Sequence, residues 1–369
     1  MAGSGFGPDI TFLGVPRCDL DDPATYADAD IVILGAPLDG GTTYRSGTRF
    51  GPSALRQACY LPQNGSRPSL ALRVDGLTDL RVYDAGDVTL YSGDVEQAVR
   101  LIEEDVFKIA SAGAIPVVLG GDHTIAWPDH TGVARHHGFG KVSMIHFDAH
   151  ADTGDIHLGS LVGHGLPMRR LIESGALRGD RFLQLGLRGY WPDEPVLQWM
   201  AAQGLRSYEM TEIVARGLEP CLTEAFGIAT DDCEGVFLSV DIDVCDPGHA
   251  PGTGTPEPGG FSARQLLDAV RRICYELPVL GVDVVEVAPP YDHADITALL
   301  GNRVVLEVIS AIARRRKDAA DGTTWDPAQP LLAGRGTDEQ LRLIREGEQA
   351  RRRGEGGARP HHHPHDHQH

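Results

Sequence analysis

The chain has 369 residues, and its 52 acidic and 33 basic side chains give a net charge of −19. Because nucleic-acid binding needs basic patches, this balance argues against DNA or RNA as the main partner. The 41% hydrophobic content supports a large core, and no apolar run approaches the roughly 18 residues of a membrane span. We therefore expect a globular protein without a membrane partner, whose acidity is compatible with attraction of a cationic small molecule.

The cysteines and the first residues bear on the cellular compartment. The sequence starts without a basic region followed by an apolar stretch, so no secretion signal is predicted. The six cysteines are scattered without a C-x-x-C pair, a pattern that favours reduced thiols. We expect a cytoplasmic protein.

Runs of apolar residues typical of strands recur along most of the chain. They are Ile31–Leu34, Ile115–Leu119, Val142–Phe147, Phe182–Leu187, Val236–Val240 and Val279–Val285. Helical patterns separate them, which predicts an α/β fold with a parallel sheet and helices on both of its faces.

Two helices are clearest from the sequence. One is predicted over Asp94–Ala112, with Ser92 in the cap region and Gly113 as its stop. The other is predicted to begin at Ser262, where Gln265 completes a capping-box pattern.

The chain is predicted to divide into an irregular lead-in at 1–28, one α/β domain at 29–316 and an extension at 317–369. The extension ends in a tail, residues 361–369, with 6 of the chain's 16 histidines. Such a sequence cannot bury enough apolar surface to fold alone, so we expect it to be largely disordered. The tail either has no role or stores a metal such as nickel, copper or zinc.

Four motifs rich in acidic residues or histidine each follow a predicted strand. They are Gly120–His123, Asp148–Asp152, Asp241–Asp243 and Glu286–Pro289. The carboxyl ends of parallel strands lie at one edge of a sheet, where ligands bind. We therefore expect the four motifs to meet at a single site.

The first three motifs have the composition of a metal centre. Alternate residues of an extended segment point to the same side, so a spacing of two aims their side chains together. The six candidate metal ligands are His123, Asp148, His150, Asp152, Asp241 and Asp243. Their four carboxylates would resist ionising together, whereas two divalent cations balance the four charges. This donor set favours manganese first and nickel second.

A centre with two metals suggests a reaction. A water that bridges two cations becomes a strong nucleophile, which is needed when the electrophile is poor. Guanidinium is a poor electrophile because its charge is delocalised and it stays protonated. Glu286 has no metal charge left to balance, so it is free to bind a guanidinium through two hydrogen bonds.

At these motifs the chain resembles the ureohydrolase family, which includes arginase, agmatinase and guanidinobutyrase. The match covers roughly residues 30–315 and is most specific at Asp-Ala-His-x-Asp from Asp148 and Ser-x-Asp-Ile-Asp from Ser239. The resemblance implies a three-layer α/β/α arginase-like fold with a mainly parallel central sheet. It also implies two metals held by the six ligands, with Asp148 and Asp241 bridging, and assembly into a trimer or hexamer.

The resemblance also implies roles for individual residues. Asp152 would orient the attacking water, His164 would shuttle a proton, and Glu286 would bind the guanidinium, so that urea and an amine are released. The segments from Pro251 and from Val284 are similar to the agmatinase branch. The segment after Asp152 departs from arginase, which argues against arginine as the substrate.

The sequence is compatible with more than one substrate. Asp155, Trp191 and Asp193 would suit an amine-ended substrate such as agmatine, which we slightly favour, whereas Arg45 or Arg188 would suit 4-guanidinobutanoate. A larger guanidino compound is also open. Two other classes remain: a deacylase with a single zinc on a related fold, and a metal-storage protein that depends on its tail.

Overall fold

The computed structural model of the chain describes residues 8–61, 67–91 and 93–331, together with Arg342, Arg345, Glu346 and Gln349. The predicted cap residue Ser92 and the histidine-rich tail lie outside these residues. One compact unit ends at Thr324. The described part of the lead-in contains two short 3-10 helices, Phe12–Gly14 and Pro23–Thr25.

The described residues contain one sheet of eight parallel strands, in the order β2-β1-β3-β8-β7-β4-β5-β6. The strands are β1 (Ile31–Ala36), β2 (Val82–Asp87), β3 (Ile115–Gly120), β4 (Val142–Phe147), β5 (Phe182–Leu187), β6 (Arg206–Glu209), β7 (Gly235–Asp241) and β8 (Val279–Val285). All six predicted strands are confirmed. β2 and β6 were not predicted, because these edge strands carry polar residues and lack a continuous apolar run.

Ten α-helices connect or flank the strands within the described residues. They are α1 (Gly51–Gln57), α2 (Gly76–Asp79), α3 (Val95–Ser111), α4 (Ala126–His137), α5 (Pro167–Glu173), α6 (Glu194–Ala202), α7 (Met210–Arg216), α8 (Leu218–Ala229), α9 (Ala263–Glu276) and α10 (Ile296–Asp321). α9 has the predicted capping box of Ser262 and Gln265. The cap of α3 is Asp94, whose side chain accepts a hydrogen bond from Gln97 N, so the prediction that placed the cap region at Ser92 was wrong by two residues.

The helices cover both faces of the sheet. α3, α4 and α5 pack on one face, while α1, α9 and α10 pack on the other. β8 contacts both α4 and α10, and most of its residues are buried. A strand that is covered on both faces explains why its sequence reads as a continuous apolar run. The predicted three-layer α/β/α architecture is confirmed.

The helix α10 is long and apolar enough to cross a membrane by composition alone. However, 72% of its most apolar 18-residue window lies buried inside the protein. This burial is what a core helix of a globular fold requires.

A buried histidine on α4 is expected to make the protein sensitive to acid. His130 is fully buried, and its Nε2–H donates a hydrogen bond to the carbonyl oxygen of Val142. Burial disfavours the charged ring and lowers the pKa of His130 to about 4. In the unfolded chain the His130 ring takes up a proton near pH 6.5, whereas in the folded protein it does so only near pH 4. Protonation of the unfolded chain therefore lowers the free energy of unfolding as the pH falls from 6.5 toward 4, and has no effect above this range.

We therefore expect the parent protein to lose about 3 kcal/mol more free energy of unfolding than His130→Gln between pH 7 and pH 4. Glutamine keeps a donor for Val142 but does not titrate. Urea denaturation at several pH values measures the difference, and His249→Gln, which changes an exposed histidine, is the matched control. Equal acid sensitivity of the parent and His130→Gln would contradict the prediction.

Candidate metal centre and active site

The four motifs follow β3, β8, β7 and β4, which are four adjacent strands at the centre of the sheet. Their side chains meet beyond the carboxyl edge of these strands. The Nδ1 atom of His123 lies 3.0 Å from Asp148 Oδ2, 3.1 Å from Asp152 Oδ2 and 3.1 Å from Asp241 Oδ2. One imidazole nitrogen therefore faces three carboxylates.

A second cluster adjoins the first through Asp148. His150 Nδ1 lies 3.1 Å from Asp243 Oδ2 and 3.4 Å from Asp148 Oδ1. The structure thus brings all six predicted ligands together. Asp148 directs one oxygen to each cluster, which is the placement needed of a ligand shared by two metals.

The backbone is in an uncommon conformation at two of the site residues. Asp152 has φ +52° and Glu286 has φ +63°, in the left-handed region of backbone conformation that residues other than glycine rarely adopt. Such conformations cluster at functional sites, where the surrounding structure holds them. At Asp241 the carboxylate also caps the short 3-10 helix Ile242–Val244 by accepting a hydrogen bond from Asp243 N at 2.8 Å.

The hydrogen bonds behind His123 fix its orientation. Ser239 donates its hydroxyl hydrogen to Asp283 Oδ1 at 2.7 Å, so its oxygen accepts from His123 Nε2 at 2.9 Å. A neutral His123 that donates from Nε2 presents a lone pair at Nδ1. None of the contacts of this Nδ1 with the three carboxylates has hydrogen-bond geometry. The Nδ1 lone pair and the carboxylate oxygens repel one another, whereas a cation placed between them would attract both.

The carboxylates themselves also need positive charge. Burial, together with the neighbouring Asp243 and Asp148, raises the pKa of Asp241 well above its ordinary range. Burial and Asp148 likewise raise the pKa of Asp152. Two divalent cations would remove this penalty, and the oxygen and imidazole donors suit them, so the residues present fit a binuclear centre.

One residue at the cluster was missed from the sequence. His146 is buried on β4, and its Nε2 lies 2.9 Å from Asp148 Oδ2. It groups with His123, Asp148 and Asp152 as a further potential donor. The period of two that relates Asp148 to His150 extends back to His146, so this pattern was the signal that could have found it.

Glu286 and His164 form a buried pair beside the metal ligands. Glu286 Oε1 lies 2.8 Å from His164 Nδ1 and accepts a hydrogen bond from His123 N at 2.9 Å. Its Oε2 is buried and has no hydrogen-bond partner among the described residues. Burial opposes a charge on His164, but the Glu286 carboxylate outweighs burial and raises the pKa of His164 to about 9.

A cavity of about 1210 Å³ opens onto this pair and the metal ligands. Asp155 and Trp191, the predicted contacts for the far end of a substrate, both line it. Asp155 is 57% exposed at its side chain and pairs with Arg170 at 2.9 Å, while Trp191 is 48% exposed. The structure therefore places both residues at the cavity but not at the metal cluster.

The two arginines considered for a carboxylate-ended substrate lie elsewhere. Arg188 donates hydrogen bonds to backbone carbonyls, among them Asp243 O at 2.7 Å and Glu257 O at 2.6 Å. Its guanidinium therefore fastens the loop that carries a metal ligand. The Arg45 guanidinium lies 5.2 Å and 5.1 Å from the ring centroids of Tyr44 and Tyr291. Neither arginine is among the described residues that line the cavity.

Comparison with known proteins agrees with this geometry. The arginase family model matches residues 29–310. A guanidinobutyrase from Pseudomonas aeruginosa is 38% identical over 83% of this chain and 93% of its own length. The mitochondrial agmatinase of Gallus gallus is 38% identical over 77% of this chain and 81% of its own length.

Solved structures show the same relationship. The proclavaminate amidinohydrolase of Streptomyces clavuligerus superposes with a TM-score of 0.75 at 31% identity, covering 84% of this chain and 99% of that one. The matched family model spans the strands that carry all four motifs. The chain belongs to the arginase family and is a hydrolase that acts on carbon–nitrogen bonds of linear amidines.

Proposed function

We propose that the protein hydrolyses an ω-guanidino compound to urea and an amine, using two divalent cations, with agmatine as the preferred substrate. The observation that carries the proposal is the buried Glu286 Oε2, which no donor in the described part of the chain satisfies, next to two clusters of aspartate and histidine. A buried carboxylate oxygen without a donor is costly, and a guanidinium N–H would satisfy it.

The residues divide the reaction between them. Bound divalent cations would supply a water ionised near neutral pH. Asp152 would accept a hydrogen bond from this water and direct it at the guanidinium carbon. Glu286 would hold the guanidinium in place, and His164 would give a proton to the departing amine nitrogen, so that a neutral amine leaves. We propose manganese as the metal, with nickel second, because carboxylates outnumber imidazoles.

The preference for agmatine rests on charge at the far part of the cavity. Away from the metal cluster, the charged side chains that line it are Asp94, Glu96, Asp155, Asp193 and Arg169. Among the described residues, four carboxylates and one guanidinium therefore line this part of the cavity. That guanidinium is 3.4 Å from Asp155 and lies over the Trp199 ring. A substrate ending in an ammonium group is favoured over one ending in a carboxylate.

A screen of urea release tests this proposal. Agmatine, 4-guanidinobutanoate, 3-guanidinopropanoate, arginine and guanidine are compared with manganese and with nickel. We expect agmatine to have the highest kcat/KM, about tenfold above 4-guanidinobutanoate, which corresponds to about 1.4 kcal/mol. Absence of urea from every compound with either metal would refute the activity.

The second candidate substrate is 4-guanidinobutanoate. The similarity to a guanidinobutyrase favours it, and Arg169 is the cavity residue that would meet its carboxylate. A higher kcat/KM for this compound, lost in Arg169→Met, would replace agmatine by 4-guanidinobutanoate and leave the reaction type unchanged.

The assembly and compartment are part of the same proposal. We propose a homo-oligomer, a trimer or hexamer, on the strength of the family resemblance. The six cysteines are all free, which supports the reducing cytoplasm. Analytical ultracentrifugation and cell fractionation test these two points.

A further inference from the structure

The loop after β1 contacts His164 through Thr43. Thr43 Oγ1 lies 2.7 Å from His164 Nε2, and Thr43 N donates a hydrogen bond to the same nitrogen at 3.2 Å. The two residues are 121 positions apart in the chain. His164 is buried, whereas Thr43 is exposed and lines the cavity.

These contacts define which tautomer the ring adopts when it is neutral. A backbone N–H can only donate, so His164 Nε2 must offer its lone pair to Thr43. The ring hydrogen is then on Nδ1, which donates to Glu286 Oε1. When the ring is neutral it is therefore held as the tautomer that can accept a proton at Nε2.

The loop that carries Thr43 is itself fixed. Gly41 N donates to Asp122 Oδ2 at 2.8 Å, and Gly41 O accepts from His164 N at 3.1 Å. A side chain at position 41 would not fit, because its Cβ would lie 2.0 Å from Thr124 Oγ1. Thr43 therefore meets His164 through a loop anchored to the residue that precedes the ligand His123.

We propose that Thr43 is a positioning residue that lets His164 accept and release a proton at Nε2 without moving its ring. A hydroxyl can both donate and accept, unlike the neighbouring backbone N–H. The Thr43 hydroxyl oxygen accepts a hydrogen bond from His164 Nε2–H when the ring is charged. When the ring is neutral, the hydroxyl turns and donates its hydrogen to Nε2. In the reaction the Nε2–H bond breaks and a new N–H bond forms on the leaving amine, while Thr43 keeps its own hydrogen.

The consequence for a variant follows from this dual role. In Thr43→Val only the backbone N–H faces Nε2, and it opposes a proton there. The charged groups around His164, namely Glu286, Asp122 and Asp152, are unchanged. We expect kcat to fall about tenfold, the effect of losing one hydrogen bond, with little change in KM because Thr43 does not bind the guanidinium.

The inference rests on the proposed function, so the test includes a readout that does not need turnover. Histidine-labelled protein without metal is titrated by NMR, with His164→Asn used to assign the His164 signal. The ring should titrate at lower pH in Thr43→Val than in the parent, and Thr43→Ser should restore both kcat and the titration. Thr42→Val is the matched control, because the Thr42 hydroxyl donates to Asp39 and not to His164. His164 should therefore titrate in Thr42→Val as it does in the parent.

Several results would overturn the inference. A Thr43→Val enzyme with parental kcat and His164 titration would do so, as would a Thr43→Ser enzyme that behaves like the valine variant. A parent enzyme that releases no urea from any guanidino compound would instead refute the proposed function. The NMR titration would still decide whether Thr43 sets the protonation of His164.

Discussion

The Asp148→Asn variant is expected to lose both metals, and its rate of urea release is expected to fall at least about 1,000-fold. One oxygen of Asp148 lies in the cluster of His123 and the other in the cluster of His150. Loss of a residue that only supports a metal ligand costs about 10- to 100-fold, so loss of a shared ligand should cost more. The side chain is almost the same size, so the fold should survive.

Elemental analysis and a urea assay on the same preparation check this result. The parent should hold about two metal ions per chain, and Asp148→Asn fewer than one. The control is Asp232→Asn, which changes an exposed aspartate that pairs with Lys141. A variant with two bound metals and parental turnover would show that the clusters are not the catalytic centre, and one metal per chain in the parent would favour a deacylase with a single zinc.

Glu286→Gln is expected to lower kcat/KM about 1,000-fold while the metals stay bound. The remaining amide oxygen can still accept from His123 N, so the backbone beside the metal ligand should be held. The amide NH₂ group would replace Oε2, the oxygen that no donor among the described residues satisfies. Because the guanidinium also carries only donors, the two groups could not form a hydrogen bond. The loss should therefore fall on substrate recognition and not on metal binding.

Steady-state kinetics and metal content separate the two effects. Glu219→Gln removes an exposed carboxylate that pairs with Arg272 and serves as the control. If Glu286→Gln loses its metals together with its activity, the glutamate acts on the metal centre and not on the guanidinium. Parental kinetics in this variant would place guanidinium recognition elsewhere.

Local patterns explain why much of the site was predictable. Five of the six metal-ligand candidates occur at a spacing of two, and all six lie close to the ends of apolar runs that became β3, β4 and β7. Both signals are contained within a few residues of sequence, and the geometry of a parallel sheet brings them together. The α3 cap shows the limit of local signals, because Ser92 and Asp94 are both good capping residues and only the helix start decides between them.

What the sequence did not reveal depends on distant contacts. The role of Thr43 arises from a contact with a histidine 121 residues away, for which no local pattern exists. The positive charge of Arg188 suggested that it could bind a substrate carboxylate. Only the fold shows that its guanidinium donates hydrogen bonds to backbone carbonyls. The edge strands β2 and β6 were missed because their polar residues lack the apolar run of a strand buried on both faces.

The position of β8 has a consequence for biosynthesis. This strand is the last of the eight to leave the ribosome, yet it lies between β3 and β7, near the middle of the sheet. Until it is made, the nascent polypeptide has two incomplete half-sheets, one with His123 and the other with Asp148 and Asp241, and each exposes an unpaired edge. We therefore expect the cluster of His123 to be completed late in maturation, and translation that stops before Val279 would leave an aggregation-prone product with an incomplete catalytic centre.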